Sequence, residues 1–393
     1  MWITELEGRS LTIGITATCG VAFMLLGFDQ GVFGGILGNT QFNSTFKDPD
    51  PTVQGQIVST YDIGCILGAL LSIFVGDRLG RKKAIILACL LVIVGGTLEA
   101  SSFSLPQMII ARLIAGLGIG MDTVVIPMWQ SETSRPQHRG KLVAFQLVLV
   151  VGGLDLTEWI NVGMAYISNK PVSWRFPLAF QCFFAVLAML MVVCMPESPR
   201  WLCLKERNDE AQVVIARFMG KPVDSDEVVE SLQLLVRTVA YEKEVENVGW
   251  REVFSNREQQ TFRRICLGAG VSLFQQMGGI NVVVYYLPVV LEQSLGFSHE
   301  MALILTAVDF ISLMIWGGVV MLAIDKWGRR KLMLLGAFGT GFSFTVAVIG
   351  LALKTYVSYA FAVTGIFVYN VFFVSYSFLL YKLTFISYVF GYS

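Results

Sequence analysis

The sequence predicts an all-α membrane protein built from two similar groups of helices, and three observations support this prediction. Hydrophobic residues make up 54% of the 393 residues, charged residues make up 15%, and the mean hydropathy is +0.64. A soluble chain of this length would contain about 25% charged residues. The apolar residues form runs long enough to cross a bilayer. One charged turn occurs twice, at 77–83 and 325–331, each time between two such runs.

Ten apolar runs have the length of a membrane-spanning helix, because a hydrocarbon core of about 30 Å needs roughly 20 helical residues. The chain is therefore predicted to contain a six-helix bundle at 1–202, a polar segment at 203–262 and an incomplete bundle of about four helices at 263–393. The predicted spans are 11–36, 56–76, 84–104, 107–129, 142–162, 174–195, 263–290, 300–324, 332–353 and 357–381.

The polar segment between the two groups of spans has mixed charge and a helical pattern of apolar residues. Within 224–246, Val228, Leu232, Leu235 and Val239 recur at the spacing of one helix face. We therefore expect short amphipathic helices in this segment.

Basic residues set the predicted orientation. Most of the 29 Lys and Arg residues fall on one side of the predicted membrane, including both copies of the charged turn. By the positive-inside rule, the N-terminus and the segment 203–262 are expected to be cytoplasmic. Asn43 begins an Asn-Ser-Thr glycosylation sequon, and it falls in the first external loop of this topology. The opposite side carries Lys47, Lys170, Arg175 and Lys354.

The repeated turn reads Asp-basic-x-Gly-Arg-basic-Lys in both places. Two similar halves that rock about a central site give alternating access, so the repeat favours a transporter. The alternative is that both turns are simply basic cytoplasmic loops. Acids and arginines near these turns are expected to form ion pairs that hold the cytoplasmic face shut as a latch. The predicted latch residues are Asp77, Arg78, Arg81, Glu132, Arg139, Glu197, Arg200, Asp325 and Arg329.

Asp29 and Arg112 are ionisable residues within predicted spans, where charges are costly and indicate function. Asp29 is surrounded by glycines that permit local unwinding of the helix, and Arg112 is the nearest plausible partner for a proton site. Two alternatives remain open. Asp29 could end its helix at the outer interface and be solvated, and Arg112 could extend to the membrane surface.

The seventh span carries Gln275, Gln276 and Asn281 beside the pair Gly278-Gly279. Amides offer paired donors and acceptors that suit the hydroxyls of a sugar or polyol. The glycines and Pro288 are expected to allow the helix to break where a ligand approaches the backbone. The alternative is that these amides form hydrogen bonds between helices, and Gln146 in the fifth span has the same two interpretations.

Other residues argue against catalysis and metal binding. His138 and His299 are the two histidines, and neither has a nucleophile or a metal-ligand spacing beside it. The seven cysteines include no Cys-x-x-Cys pair, so neither a metal site nor a disulfide framework is expected. The net charge is zero, so nothing points to nucleic acid as a partner. We expect no enzyme activity and no cofactor.

Taken together, these motifs resemble those of the sugar porters of the major facilitator superfamily, especially the fungal members. The resemblance implies a major facilitator fold of two six-helix bundles around a central sugar site. It also implies that Gln275, Gln276 and Asn281 bind sugar, with Tyr285 beside them, and that Gln146 lies at or next to a polar position of the fifth helix. Asp29 and Arg112 match positions linked with proton coupling. The matching segments are 77–82, 112–120, 127–132, 139–140, 196–202, 275–286 and 325–330.

The function that the resemblance implies is proton-coupled sugar transport across the plasma membrane by a monomer, with a sugar or polyol, a proton and the lipid bilayer as partners. The alternatives are a facilitative sugar or polyol uniporter, a sugar sensor and a non-functional truncated transporter. The family pattern fades near Leu380, before the last two helices of the fold. We therefore expect an incomplete second bundle, explained by truncation or mis-splicing.

Overall fold

The computed structural model describes residues 6–134, 139–246, 261–327, 329–353 and 356–389. All regular secondary structure within these ranges is helical, which confirms the all-α prediction. The helices are α1 (Gly8–Ile36), α2 (Thr40–Thr45), α3 (Pro51–Leu79), α4 (Arg81–Ala100), α5 (Leu105–Glu132), α6 (Arg139–Ala165), α7 (Val172–Cys194), α8 (Pro199–Leu204), α9 (Asn208–Met219), α10 (Asp226–Glu246), α11 (Thr261–Met277), α12 (Ile280–Leu295), α13 (His299–Trp327), α14 (Arg329–Leu353) and α15 (Tyr356–Val389).

Nine segments of the described chain are long and apolar enough to cross a membrane, and a shorter apolar stretch, Tyr359–Ser375, lies within α15. The first nine predicted runs fall on the nine segments, and the tenth falls on α15. The segments are Gly8–Ile36, Pro51–Leu79, Arg81–Ala100, Leu105–Glu132, Phe145–Ala165, Val172–Cys194, Cys266–Leu295, His299–Val320 and Arg330–Leu353.

The described chain divides into two compact units. The first consists of residues 1–26, 48–146 and 178–252, and the second of residues 27–47, 147–177 and 253–393. The division by sequence into 1–202, 203–262 and 263–393 remains a prediction.

In the first unit, α3 and α5 pack backbone to backbone. A Cβ atom at any of four glycines would fall on main-chain atoms of the partner helix, so larger side chains are excluded there. α5 packs closely against α4 as well. The four glycines are Gly64 and Gly68 on α3 and Gly116 and Gly120 on α5.

Helices α8, α9 and α10 form a small bundle within the first unit. Trp201, Ala211, Val214 and Val239 share its apolar core. Val228 on α10 is buried in an adjoining cluster. The polar segment thus contains helices, and Val228 and Val239, two residues at the predicted apolar spacing, lie on the buried face of α10.

In the second unit, α15 packs along α14 and against α13. Its core brings together residues of α12, α13 and α15, including Leu287, Leu291, Ala302, Tyr369 and Phe373. Apolar side chains from three helices therefore form the core of this unit.

The seventh predicted span breaks where the glycines predicted a break. α11 ends at Met277 and α12 begins at Ile280, with Gly279 between them at φ +86°. An L-residue with a side chain rarely adopts this backbone angle, so glycine is needed here. The expectation for Pro288 is wrong, because Pro288 lies inside α12 without interrupting it.

The predicted unwinding around Asp29 is also wrong, because α1 runs without interruption from Gly8 to Ile36. Its glycines serve close packing instead. Within the second unit, Gly27 lies against the backbone of Val150 on α6, and Gly35 lies against the side chain of Asn161.

Candidate functional site

Gln146 on α6 is the predicted polar residue with the least satisfied side chain. It is buried, with 1% of its surface exposed. Neither its amide nitrogen nor its amide oxygen has a hydrogen-bond partner among the described residues. Buried amides are normally paired, so an amide left without protein partners points to a ligand or to water as the missing partner. The alternative that Gln146 serves only as packing between helices would require such a partner.

The break between α11 and α12 groups the predicted amides of the second unit. Gln275 is buried, Gln276 is exposed and Asn281 is half-buried. The Asn281 amide donates to the Oε1 atom of Gln276 at 3.3 Å, across the break. Tyr285 follows on α12 and is buried. This arrangement presents amide donors and acceptors beside an interrupted backbone.

The main chain at the break is held by α15. The Tyr369 hydroxyl donates to the carbonyl oxygen of Gly278 at 2.9 Å. That carbonyl lies where the α-helical bonding is interrupted, so the tyrosine satisfies a group that the break leaves available.

Arg112 is fully buried on α5, so the alternative that it extends to the membrane surface is wrong. Its guanidinium lies 3.7 Å from the carboxylate of Glu99 on α4 and 4.3 Å from the centre of the Tyr61 ring on α3. Glu99 also accepts a 2.9 Å hydrogen bond from the Gln181 amide on α7. Glu99 is not among the predicted site residues, because an acid near the end of an apolar run has the pattern of an interfacial residue.

Asp29 is fully buried within α1, so the alternative of a solvated carboxylate at a helix end is wrong. It belongs to the second unit and Arg112 to the first. Their pairing in a proton site stays a prediction.

Several predicted latch residues meet in the first unit. Arg81 donates to both oxygens of Glu132 at 3.0 Å and to Asp77 at 3.2 Å. Trp201 donates from its indole nitrogen to the Asp77 carbonyl at 3.1 Å. The ends of α3, α4 and α5 and the start of α8 are thereby joined. The exposed Arg78 lies outside this group.

Glu197 belongs to the same group. Its carboxylate accepts hydrogen bonds from the backbone N–H groups of Arg81, Lys82 and Ser198 at 2.9–3.2 Å. Burial raises the pKa of Glu197 above its ordinary value of 4.5, against the opposing effect of these donors and of Arg81. Gly80 begins this turn at φ +91°, which explains the glycine of the repeated motif.

Arg200 is half-buried at the start of α8. The side chains of Arg139, Asp325 and Arg329 lie outside the described part of the structure. Asn43 lies in α2, where its amide donates to the Leu37 carbonyl at 3.2 Å, and its glycosylation remains a prediction.

Comparison with known proteins identifies the family. The sequence profile described as "Sugar (and other) transporter" matches residues 14–379. The chain is 39% identical over 349 residues to the MFS-type transporter oryC of Aspergillus oryzae, covering 88% of this chain and 64% of the relative. It is 32% identical over 383 residues to the sugar transporter STL1 of Saccharomyces cerevisiae, covering 94% of this chain and 67% of the relative. The chain thus spans about two thirds of the length of these relatives.

More distant relatives agree. The arabinose-proton symporter of Bacillus subtilis is 28% identical over 340 residues, covering 85% of this chain and 70% of the symporter. Among solved structures, the xylose transporter XylE from E. coli in a partially occluded inward-open conformation has a TM-score of 0.80 at 24% identity. That match covers 97% of this chain and 88% of XylE, which shows the major facilitator fold. The chain belongs to the sugar transporter family of the major facilitator superfamily.

Proposed function

We propose that this protein transports a sugar across a membrane by alternating access. The observation that carries the proposal is Gln146, whose buried amide has no hydrogen-bond partner among the described residues. A sugar hydroxyl both donates and accepts, so it satisfies an amide that the protein leaves unsatisfied. The residues at the helix break are proposed to bind substrate as well, since the break places amides beside an interrupted main chain. These residues are Gln275, Gln276, Asn281 and Tyr285.

Coupling to a proton is part of the proposal. Asp29 is a buried carboxyl group within a span, and an ionisable residue in that position is costly unless it has a function. The relative from Bacillus subtilis is named an arabinose-proton symporter. We propose that Asp29 carries the coupled proton and that Arg112 responds to its charge.

A facilitative uniporter for a sugar or polyol is the second candidate, and one observation favours it. Arg112 already has a buried carboxylate, Glu99, at 3.7 Å within its own unit. Its charge is therefore balanced without Asp29, and transport without a proton gradient needs no further group.

Uptake into vesicles separates these candidates. The full chain is reconstituted in lipid vesicles and uptake of labelled hexose, pentose and polyol is measured with an inward proton gradient, then with a protonophore. Symport predicts uptake that collapses with the protonophore and in Asp29→Asn. Uptake that survives both treatments establishes the uniporter. No uptake of any of the three classes by a folded chain contradicts the proposal.

The proposed location is the plasma membrane with a cytoplasmic N-terminus. The cluster of Asp77, Arg81, Glu132 and Glu197 is proposed to act as a cytoplasmic latch. Attachment of a glycan at Asn43 in a eukaryotic host tests the orientation. A glycan that is lost in Asn43→Gln places α2 outside. A glycan found instead at a sequon engineered between α9 and α10 would show that the orientation is the opposite one.

A further inference from the structure

Asp309 on α13 and Asn370 on α15 face each other in the interior of the second unit, and neither has any exposed surface. The Nδ2 atom of Asn370 donates to the Oδ2 atom of Asp309 at 2.5 Å. The Oδ1 atoms of both residues are buried and have no hydrogen-bond partner among the described residues. The pair therefore has two unsatisfied acceptor oxygens, the Oδ1 atom of each residue, and neither of these oxygens carries a hydrogen atom to donate to the other.

A single proton removes both deficiencies. A protonated carboxyl group has one O–H donor and one acceptor oxygen, and a primary amide also has both functions. With the proton on Oδ1 of Asp309, that oxygen donates to Oδ1 of Asn370 while the amide nitrogen donates back to Oδ2. The two side chains then form a closed ring of two hydrogen bonds. An ionised Asp309 would instead be a buried charge with one hydrogen bond, which is strongly unfavourable.

The neighbouring helices do not supply a compensating positive charge in the part of the chain that the structure describes. Glu292 pairs with His299 at 2.9 Å, at the start of α13. The described cations on the helices packed against α13 and α15 are Arg263, near the start of α11, and Arg330 and Lys331, which begin α14 and lie roughly 25 Å from Asp309 along α13. The described ionisable groups on α6, α11, α12, α14 and α15 are Asp155, Glu158, Arg263, Cys266, Tyr285, Tyr286, Glu292, Arg330, Lys331, Tyr359 and Tyr369.

We propose that Asp309 and Asn370 form a proton-binding site in the second unit, in which the neutral carboxyl group and the amide join α13 to α15. Loss of the proton transfers H⁺ from Oδ1 to water and leaves the electron pair on the carboxylate. The hydrogen bond to the Asn370 oxygen is lost, and two acceptors then face each other.

The site is connected to the helix break through one residue. Tyr369 precedes Asn370 on α15, and its hydroxyl holds the Gly278 carbonyl at 2.9 Å. Gln276 and Asn281 flank that carbonyl along the chain. A change in the contact between α13 and α15 is therefore transmitted to the amides at the break. This second step rests on the proposed function, whereas proton binding by Asp309 does not.

Infrared spectroscopy of the purified full chain tests the proton site without any substrate. The wild type is expected to show the carbonyl band of a protonated carboxylic acid at neutral pH, and Asp309→Asn is expected to lose it. Asparagine is chosen because an amide pair keeps two hydrogen bonds and so preserves the fold. Asn370→Leu should retain the band but shift it to higher frequency, because the hydrogen bond to the amide is gone.

Glu158→Gln is the matched control, since Glu158 is a second fully buried acid of this unit. Any band that it removes should not respond to Asn370→Leu. Identical spectra of the wild type and Asp309→Asn at neutral pH would show that Asp309 is ionised and would overturn the proposal. A band that forms only when Na⁺ is removed would assign the site to a metal cation and would overturn it as well.

The connection to substrate is tested by sugar binding as a function of pH. Linkage to one proton weakens binding by up to tenfold per pH unit above the pH at which the Asp309 band disappears. Asp309→Asn should remove the part of the dependence that falls at this pH, and any part that arises from the proposed proton on Asp29 should remain. An unchanged pH dependence in the variant overturns the connection. If the infrared result holds and no sugar binds at any pH, the proton site stands and the proposed function fails.

Discussion

Arg81 and Glu132 form a two-point ion pair between the start of α4 and the end of α5. Nε of Arg81 donates to Oε2 of Glu132 and Nη2 donates to Oε1, both at 3.0 Å. Each side chain has 5% of its surface exposed. The Arg81 guanidinium also reaches the Gly76 carbonyl at 3.1 Å. One residue of the repeated turn thus joins the ends of three helices of the first unit.

Removing one partner of this pair should destabilise the protein strongly. Glu132→Ala leaves the buried Arg81 charge without its main partner, and breaking a buried pair in this way costs about 3–5 kcal/mol. The measurement is the free energy of unfolding in a denaturant titration.

Arg207 and Glu210 provide the matched control, because they form the same two-point pair at 2.7 and 2.6 Å but are 48% and 58% exposed. Glu210→Ala should cost only about 0–1 kcal/mol. Equal losses of stability in the two variants would show that burial does not determine what each pair contributes.

Glu197 should make stability depend on pH. Burial raises its pKa in the folded protein above 4.5, so the folded state binds the proton more tightly than the unfolded state. The contribution of Glu197 to stability is fully present below the pKa that the residue has in the unfolded state. This contribution is lost as the pH rises through the raised pKa of the folded state. Thermal unfolding of the wild type and Glu197→Gln is compared from about pH 4 to about pH 7. The wild type should lose stability relative to the variant as the pH rises, and a difference that does not change with pH would contradict this.

Gly279→Ala should be destabilising because this position has φ +86°. Forcing an L-residue into the left-handed region costs about 1–2 kcal/mol. The added Cβ would also lie 3.3 Å from the ring of Phe344. The free energy of unfolding is the measurement, together with sugar uptake, which should fall because the break positions the amides.

Gly270→Ala on α11 serves as the control for this variant. A Cβ there meets open space, and alanine in a helix interior is favoured over glycine by about 0.5–1 kcal/mol. The two substitutions should therefore change the free energy of unfolding in opposite directions. Destabilisation by both would show that neither the room for a Cβ atom nor the backbone angle explains the effect.

Gln146 and Gln181 should respond differently to replacement by methionine. Gln146 has no hydrogen-bond partner among the described residues, so Gln146→Met should leave the free energy of unfolding unchanged or slightly raised, while sugar uptake falls. Gln181 donates to Glu99, so Gln181→Met removes a donor from a buried carboxylate and should cost about 1–3 kcal/mol. A large loss of stability in Gln146→Met would show that its role is packing.

The sequence predicted those features that depend on local pattern. Apolar runs determine where helices form, and the spacing of Val228 and Val239 indicated the buried face of α10. The pair Gly278-Gly279 predicted the break, because its backbone angle is a property of glycine itself. Pro288 was misread, since the structure accommodates it inside α12 without a break.

Outside the charged turns, the sequence could not predict which side chains meet across helices. Glu99 and Arg112 lie on different helices, and only the packing of α4 against α5 brings them together. Asp309 and Asn370 are separated by 61 positions, so neither predicts the other. The repeated turn does not indicate whether Arg78 or Arg81 forms the ion pairs. In the structure α3 ends before Gly80 and α4 begins at Arg81, and Arg81 is buried whereas Arg78 is exposed.

The glycine contacts between α3 and α5 have a mechanical consequence. Where main chains touch directly, there is no layer of flexible side chains that could let one helix slide along the other. We therefore expect these two helices to move as one rigid body in any conformational change. Relative movement of helices within the first unit is then expected at contacts that side chains mediate. Substitutions of those side chains can change the strength of these contacts gradually.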